Sequence, residues 1–195
     1  MLAVLLVNHD RLAGDKLEGL EFHGRYYPVE KVCLVVDDST LEKGLDGSRL
    51  DRGTFSLLPT GNGFNVVLDE RYASIDCGWK NWEYDKDPQV YFLFSAVVYA
   101  ERIEGRPDCR SEGLGGKAET VSLGRFEACR QYDGFKTALT VVDDNATVGC
   151  DVKSQDESLL PALEKVTRAA CEDFIDRLAR SRPITYGGNA FLTVR

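Results

Sequence analysis

Among the residues of this chain, Cys109 has the neighbours a nucleophile would want. It stands in the polar stretch Arg106-Pro107-Asp108-Cys109-Arg110, where flanking guanidinium groups would lower a thiol pKa. A thiolate enzyme also needs a base, and the chain has two histidines, His9 and His23. A cysteine-dependent enzyme therefore requires one of those imidazoles within about 4 Å of the Cys109 sulfur. Neither histidine has the HxxxH or HExxH spacing of a metal site. The acidic pairs Asp37-Asp38 and Asp143-Asp144 end strand-like segments, where carboxylates can hold a divalent cation but are equally suited to turns. The turn reading is preferred, so the sequence leads us to expect no metal and no cofactor.

The stretch Gly113-Leu114-Gly115-Gly116-Lys117-Ala118 resembles a phosphate loop only in its glycines. A Walker A sequence needs Gly where Ser111 stands and Ser or Thr where Ala118 stands, and a strand-like run follows where a helix N-terminus would hold phosphate. A different chemistry is suggested by Trp79, Trp82 and Tyr84, which crowd into residues 77–85 (CGWKNWEYD) among charged neighbours. Aromatic rings on a polar loop make binding anchors, because they bring a large contact area at small entropic cost. The competing expectation is that they fold back as a lid on the core.

Six cysteines (Cys33, Cys77, Cys109, Cys129, Cys150 and Cys171) would permit three disulfides, but most sit in apolar or alternating segments where a free thiol behaves as a small hydrophobe. No pair has CxxC spacing. Residues 1–7 (MLAVLLV) lack a basic n-region and read as a strand rather than a secretory signal, and residues 90–100 are too short to span a bilayer. The sequence thus predicts reduced thiols, a cytoplasmic location and no membrane attachment.

Lys plus Arg number 24 against 32 for Asp plus Glu, a net charge of −8. With basic residues scattered, this surface repels phosphate backbones and anionic lipid, which excludes nucleic acid as a partner. A partner drawn by such a field would be basic.

The elements that must position these residues are mostly strands. Residues 54–70 read as a hairpin with its turn at Pro59-Thr60-Gly61-Asn62-Gly63, since Phe64, Val66 and Leu68 alternate. Residues 90–103 are apolar on both faces, which predicts a central strand with something covering each side. Strands follow at 119–131, 135–142 and 147–153, joined closely enough to be antiparallel. Residues 31–36 read as another strand, and Ser39 and Glu42 have capping-box spacing for a short helix.

The closing helix is the clearest element. Leu159, Leu160, Leu163, Val166, Ala170, Cys171, Phe174, Ile175 and Leu178 cover about half its circumference at roughly 100° per residue, too wide for a coiled-coil seam. Ser158 can cap it, Pro161 falls in its first turn and Pro183 stops it. The predicted fold is α+β: a mainly antiparallel, curved sheet with this one long C-terminal amphipathic helix across a face. The chain reads as a single domain, residues 1–195, with a strand-rich body at 1–153, the helix at about 159–180 and a tail at 183–195.

The functional expectation is a non-enzymatic acidic binding protein that engages a protein partner as an inhibitor, immunity-type antidote or assembly factor. One alternative is a carrier of a small apolar ligand, with a pocket between sheet and helix. The other is a cysteine-dependent enzyme.

Overall fold

Period-two alternation is strict at the centre of the molecule: β3 (Val90–Tyr99) buries every second residue from Val90 to Val98 and leaves those between half-buried, as strand geometry requires. In the computed structural model, residues 21–29, 35, 41, 57–67, 70–81, 90–109 and 116–181 are described. Besides β3, the strands are β1 (Leu57–Val67), β2 (Tyr72–Asn81), β4 (Lys117–Leu123), β5 (Phe126–Tyr132), β6 (Lys136–Asp143) and β7 (Ala146–Ser154). They form one antiparallel sheet in the order β1-β2-β3-β7-β6-β5-β4. A three-strand meander and a four-strand meander meet where β7 pairs with β3. No pairing among the described residues joins β1 to β4, so the sheet is open. The α+β architecture, antiparallel with one long helix on a face, is the one the sequence patterning predicts.

Three expected elements differ in detail. The Pro-Gly cluster at 59–63 is not a turn, because β1 runs straight through it along β2 with a register shift between Pro59 and Gly61. Proline and glycine are tolerated there because β1 is an edge strand, where a missing ladder donor and a bulge disturb one neighbour only. The segment read as one strand at 119–131 is two, β4 and β5, folded at Gly124-Arg125, with Gly124 in the left-handed region at φ 55°. The third is residues 77–81, expected in a loop, which belong to β2. The strand and helix expected at 31–44 lie outside the described residues except for Val35 and Leu41, both buried.

The helix α1 (Leu160–Arg180) follows a 3-10 turn, Glu157–Leu159. Ser158 does not cap α1, whose N-cap position is Leu159 with no side-chain bond; the 3-10 turn before it is capped by Asp156, whose Oδ1 accepts from Ser158 N at 2.9 Å and Ser158 Oγ at 2.6 Å. The buried side of α1 carries the expected apolar residues except Leu159, together with Thr167, whose hydroxyl is satisfied by donating to Leu163 O at 2.8 Å. This face lies on β7 and β6. Phe174 meets Phe94 edge-on at 5.8 Å, and Phe94 meets Trp79 edge-on at 5.5 Å, so a chain of rings links helix, β3 and β2.

Among the described residues the cysteines are not reduced, and this corrects the sequence expectation. Cys150 on β7 is bonded to Cys171 on α1, and Cys109 to Cys129. Cys77 is also disulfide-bonded, to a partner outside the described residues. Apolar neighbours suit a buried disulfide as well as a buried thiol, so local sequence could not separate the two.

The connection from β3 to β4 must cross four strand spacings, about 19 Å. Its path is fixed by Ile103 N donating to Asp144 O at 2.8 Å, by Arg106 facing Glu127 at 3.5 Å and by the Cys109–Cys129 bond. Arg130 of β5 reaches α1, so Glu127 and Cys129, of opposite parity, point to the other face of the sheet. The crossover therefore straps the outward face of β5.

Candidate functional site

Two polar assemblies hold the covered face of the sheet in place. At one end, the β6–β7 turn is the socket for residues 23–26. Asp144 sits there with φ 52°, a conformation that Asp and Asn tolerate better than other side chains. Arg25 N donates to Asp144 Oδ2 at 2.5 Å, and Arg25 Nη1 and Tyr26 Oη donate to Asp143 Oδ2 at 2.6 and 2.5 Å. Fully buried Asn145 accepts from Tyr26 N and donates to Tyr26 O and Tyr99 O, each at 2.9 Å. Arg102 closes the group against Asp144 at 3.0 Å. The expectation that Asp143-Asp144 forms a turn is met, and both carboxylates are occupied by protein donors.

Burial pushes the Tyr26 phenol well above its ordinary value, with Asp143 adding to the rise and Arg25 opposing it. A group whose folded pKa is raised lends stability that is complete below its unfolded value, near pH 10, and drains as pH rises beyond that. Urea unfolding between pH 9 and 11.5 should therefore show stability falling by up to about 1.4 kcal/mol per pH unit from this one group. Tyr26→Phe should remove that contribution. An unchanged slope in the variant would show that Tyr26 ionises as freely in the fold as in the unfolded chain.

The second assembly joins α1 to the far strands. Arg130 holds Glu164 with two bonds, Nε to Oε1 at 2.8 Å and Nη2 to Oε2 at 2.7 Å, and reaches Glu119 at 2.9 Å. The Glu164 bonds raise the Arg130 pKa above its ordinary value, so the guanidinium stays charged. Along α1 the i,i+4 pairs Glu164–Arg168, Asp173–Arg177 and Asp176–Arg180 all form, but Glu164 is engaged chiefly by Arg130. Beyond the helix, Tyr132 donates to Glu157 at 2.9 Å.

The opposite face of the sheet has a different composition. Its central strand presents Tyr91, Leu93, Ser95, Val97 and Tyr99, all half-buried. An antiparallel sheet with one solvated face usually shows polar residues there. The outward positions that flank it are mostly polar or glycine, Ser74, Asp76, Gly78 and Lys80 on β2 and Thr147, Gly149, Asp151 and Lys153 on β7, while Tyr72 meets Tyr99 at 5.8 Å between ring centres and Val142 pairs with Thr147. Gly149 lies at the middle, where a Cβ would stand 2.9 Å from Ser95 Oγ. The Ser95 hydroxyl occupies the space that a side chain at this position would need. Lys136 and Asp151 pair beside it at 2.5 Å. Thus one side of the doubly apolar central strand is covered by α1 and by Tyr26, Val29, Val35 and Leu41, and the other is this half-exposed apolar row.

Those residues singled out from sequence that are described, Trp79, Cys109 and His23, do not converge. Trp79 is fully buried, on the covered face of β2, which corrects its placement on a polar loop: Cys77 and Trp79 alternate inward while Asp76 and Lys80 do not. Trp82 and Tyr84 lie outside the described residues. Cys109 has its sulfur in a disulfide, so in this state it has no thiolate to offer. His23 is exposed beside Glu21 at 3.7 Å, and His9 is outside the described residues. Among the described residues no group of His, Cys, Asp or Glu is arranged to hold a metal, and no helix is long and apolar enough to cross a membrane. The two-sided apolarity of residues 90–103 led to the expectation of cover on both faces, whereas one face of β3 is fully buried and the other half-buried. Comparison with protein-family models, with curated proteins and with solved structures finds no match.

Proposed function

We propose that this chain is a non-enzymatic, disulfide-stapled binding protein that engages a protein partner through the outward face of β3, β7 and β6. The observation that carries the reading is the row Tyr91, Leu93, Val97 and Tyr99, apolar where an uncovered sheet would be polar. The row is one strand wide, flanked outward by Asp76 and Lys80 on β2 and by Thr147, Asp151 and Lys153 on β7, and an apolar row with a polar rim is the composition of many interaction sites. A net charge of −8 favours a basic partner by steering its approach. The disulfides support an oxidising setting over a cytosolic one, since such bonds persist outside the cytosol and are rare within it.

The carrier reading has less behind it. Where Cys150 and Cys171 are bonded, helix and strand backbones are 5.9 Å apart between Cα atoms, which leaves no layer for a ligand at that point. A cysteine-dependent enzyme would first require reduction of the Cys109–Cys129 bond.

The test uses the oxidised chain as bait in extracts of its host at physiological salt, followed by affinity measurement with the purified captured protein. Val97→Arg, on the outward face, should weaken binding at least tenfold, and Lys165→Glu, on the exposed side of α1, should leave it unchanged. Capture of nothing, or of a protein indifferent to Val97→Arg, removes the proposal.

A further inference from the structure

Asn145-Ala146-Thr147 has the N-x-Thr sequence of an N-glycosylation acceptor, which in a secreted chain ordinarily marks a surface loop. Here the acceptor side chain has no exposed surface. Both amide hydrogens of its Nδ2 are committed, one to Tyr26 O and one to Tyr99 O, and its Oδ1 accepts from Tyr26 N. Glycan transfer forms a bond from Nδ2 to C1 of a lipid-diphosphate-linked oligosaccharide, breaks the C1–O bond, releases polyprenyl diphosphate and removes one proton from Nδ2. The product keeps a single amide hydrogen for two buried carbonyls. The sugar would also need space where none exists, since even a Cβ on Gly24 would lie 2.2 Å from Asn145 Cγ.

From this we infer that glycosylation of Asn145 and the native fold exclude one another: the acceptor is open in the unfolded chain and closed once the β6–β7 turn receives residues 23–26. Every partner of the Asn145 side chain precedes it in sequence, so during synthesis all are present when Asn145 appears. In a pathway that both oxidises cysteines and glycosylates asparagine, the corner must close before the transferase acts. This conclusion is independent of the outward-face reading.

Two measurements test it. Purified oligosaccharyltransferase with a lipid-linked donor is given the oxidised chain and, separately, the reduced chain with alkylated cysteines, which cannot re-form its disulfides. Mass spectrometry should show one glycan on the alkylated chain and at least tenfold slower modification of the oxidised one. The chain is then secreted from an N-glycosylating host, as wild type and as Thr147→Ala, which removes the acceptor sequence but keeps Asn145. Molecules with both the Cys109–Cys129 and Cys150–Cys171 bonds should carry no glycan, and glycosylated molecules should lack native pairing. Bacterially made, oxidatively refolded wild type serves as the bare reference if Thr147→Ala does not fold. An alkylated chain left unmodified, or a glycosylated molecule with native disulfides and the melting temperature of the bare reference, overturns the inference.

Discussion

Asn145→Ala is expected to destabilise the fold by about 3–5 kcal/mol, a large share of the roughly 5–15 kcal/mol that holds a typical domain together. The substitution strips partners from three backbone groups, Tyr26 N, Tyr26 O and Tyr99 O, in a site closed to solvent. An unmade buried hydrogen bond costs about 1–3 kcal/mol, and the value per group should fall low in that range if a water enters the vacated space. Asn145→Asp should do no better, since it retains one acceptor, loses both donors and sets a charge against two carbonyls. Chemical denaturation of the oxidised chain gives the magnitude. The mechanism has its own check at Gly24, whose Cβ would collide with the Asn145 side chain. Gly24→Ala should be strongly destabilising alone and much less so in an Asn145→Gly background, which also removes the Asn145 Cβ that would stand 2.7 Å from the new methyl group. Additive effects of the two substitutions would mean that the corner does not work as described.

What could be read from sequence divides along the range of the interactions. The closing helix was legible because its nine apolar residues repeat within one element, and a stripe that wide must be covered. The sheet class was legible for a similar reason, since strands joined by two or three residues can hardly be other than antiparallel. The corner was not legible: Tyr26 and Asn145 are 119 residues apart, and nothing in either neighbourhood names the other. Local turn chemistry misled at Pro59-Thr60-Gly61-Asn62-Gly63, because the same residues that favour a turn are tolerated in a bulged edge strand, and edge position is a property of the whole sheet. Cys109 looked reactive for its arginine neighbours, yet of these Arg106 faces Glu127 along a crossover, and the cysteine ties the strap to β5.

The crossover and the corner share one mechanical logic. The sheet is two meanders joined at β3–β7, and that joint is the place where it would part. Asn145 bonds Tyr99 at the end of β3 from the turn that leads into β7, Ile103 continues the contact to Asp144, and the Cys109–Cys129 bond carries the chain onward to β5. On the covered face, the Cys150–Cys171 bond and the Phe94–Phe174 contact tie α1 to both strands of the joint. The apolar outward face of β3 can thus remain half-exposed without the sheet depending on it for cohesion.

Trp79 separates a core role from a binding role most cleanly. Trp79→Ala should cost about 3–5 kcal/mol of stability, because removing a fully buried ring leaves a cavity that its surroundings fill only in part. The ring meets Phe94 edge-on, and Phe94 meets Phe174, so the loss should loosen the seat of α1 as well as β2. Trp79→Phe should cost clearly less, since it keeps an aromatic ring against Phe94. A surface anchor would behave in the opposite way, with partner affinity falling while the melting temperature stayed within a degree or two of wild type. Thermal unfolding of the oxidised variants decides between the two. If Trp79→Ala melts like wild type, the ring does not lie buried against Phe94 as described; a large drop in melting temperature, with outward-face variants such as Val97→Arg little affected, assigns Trp79 to the core.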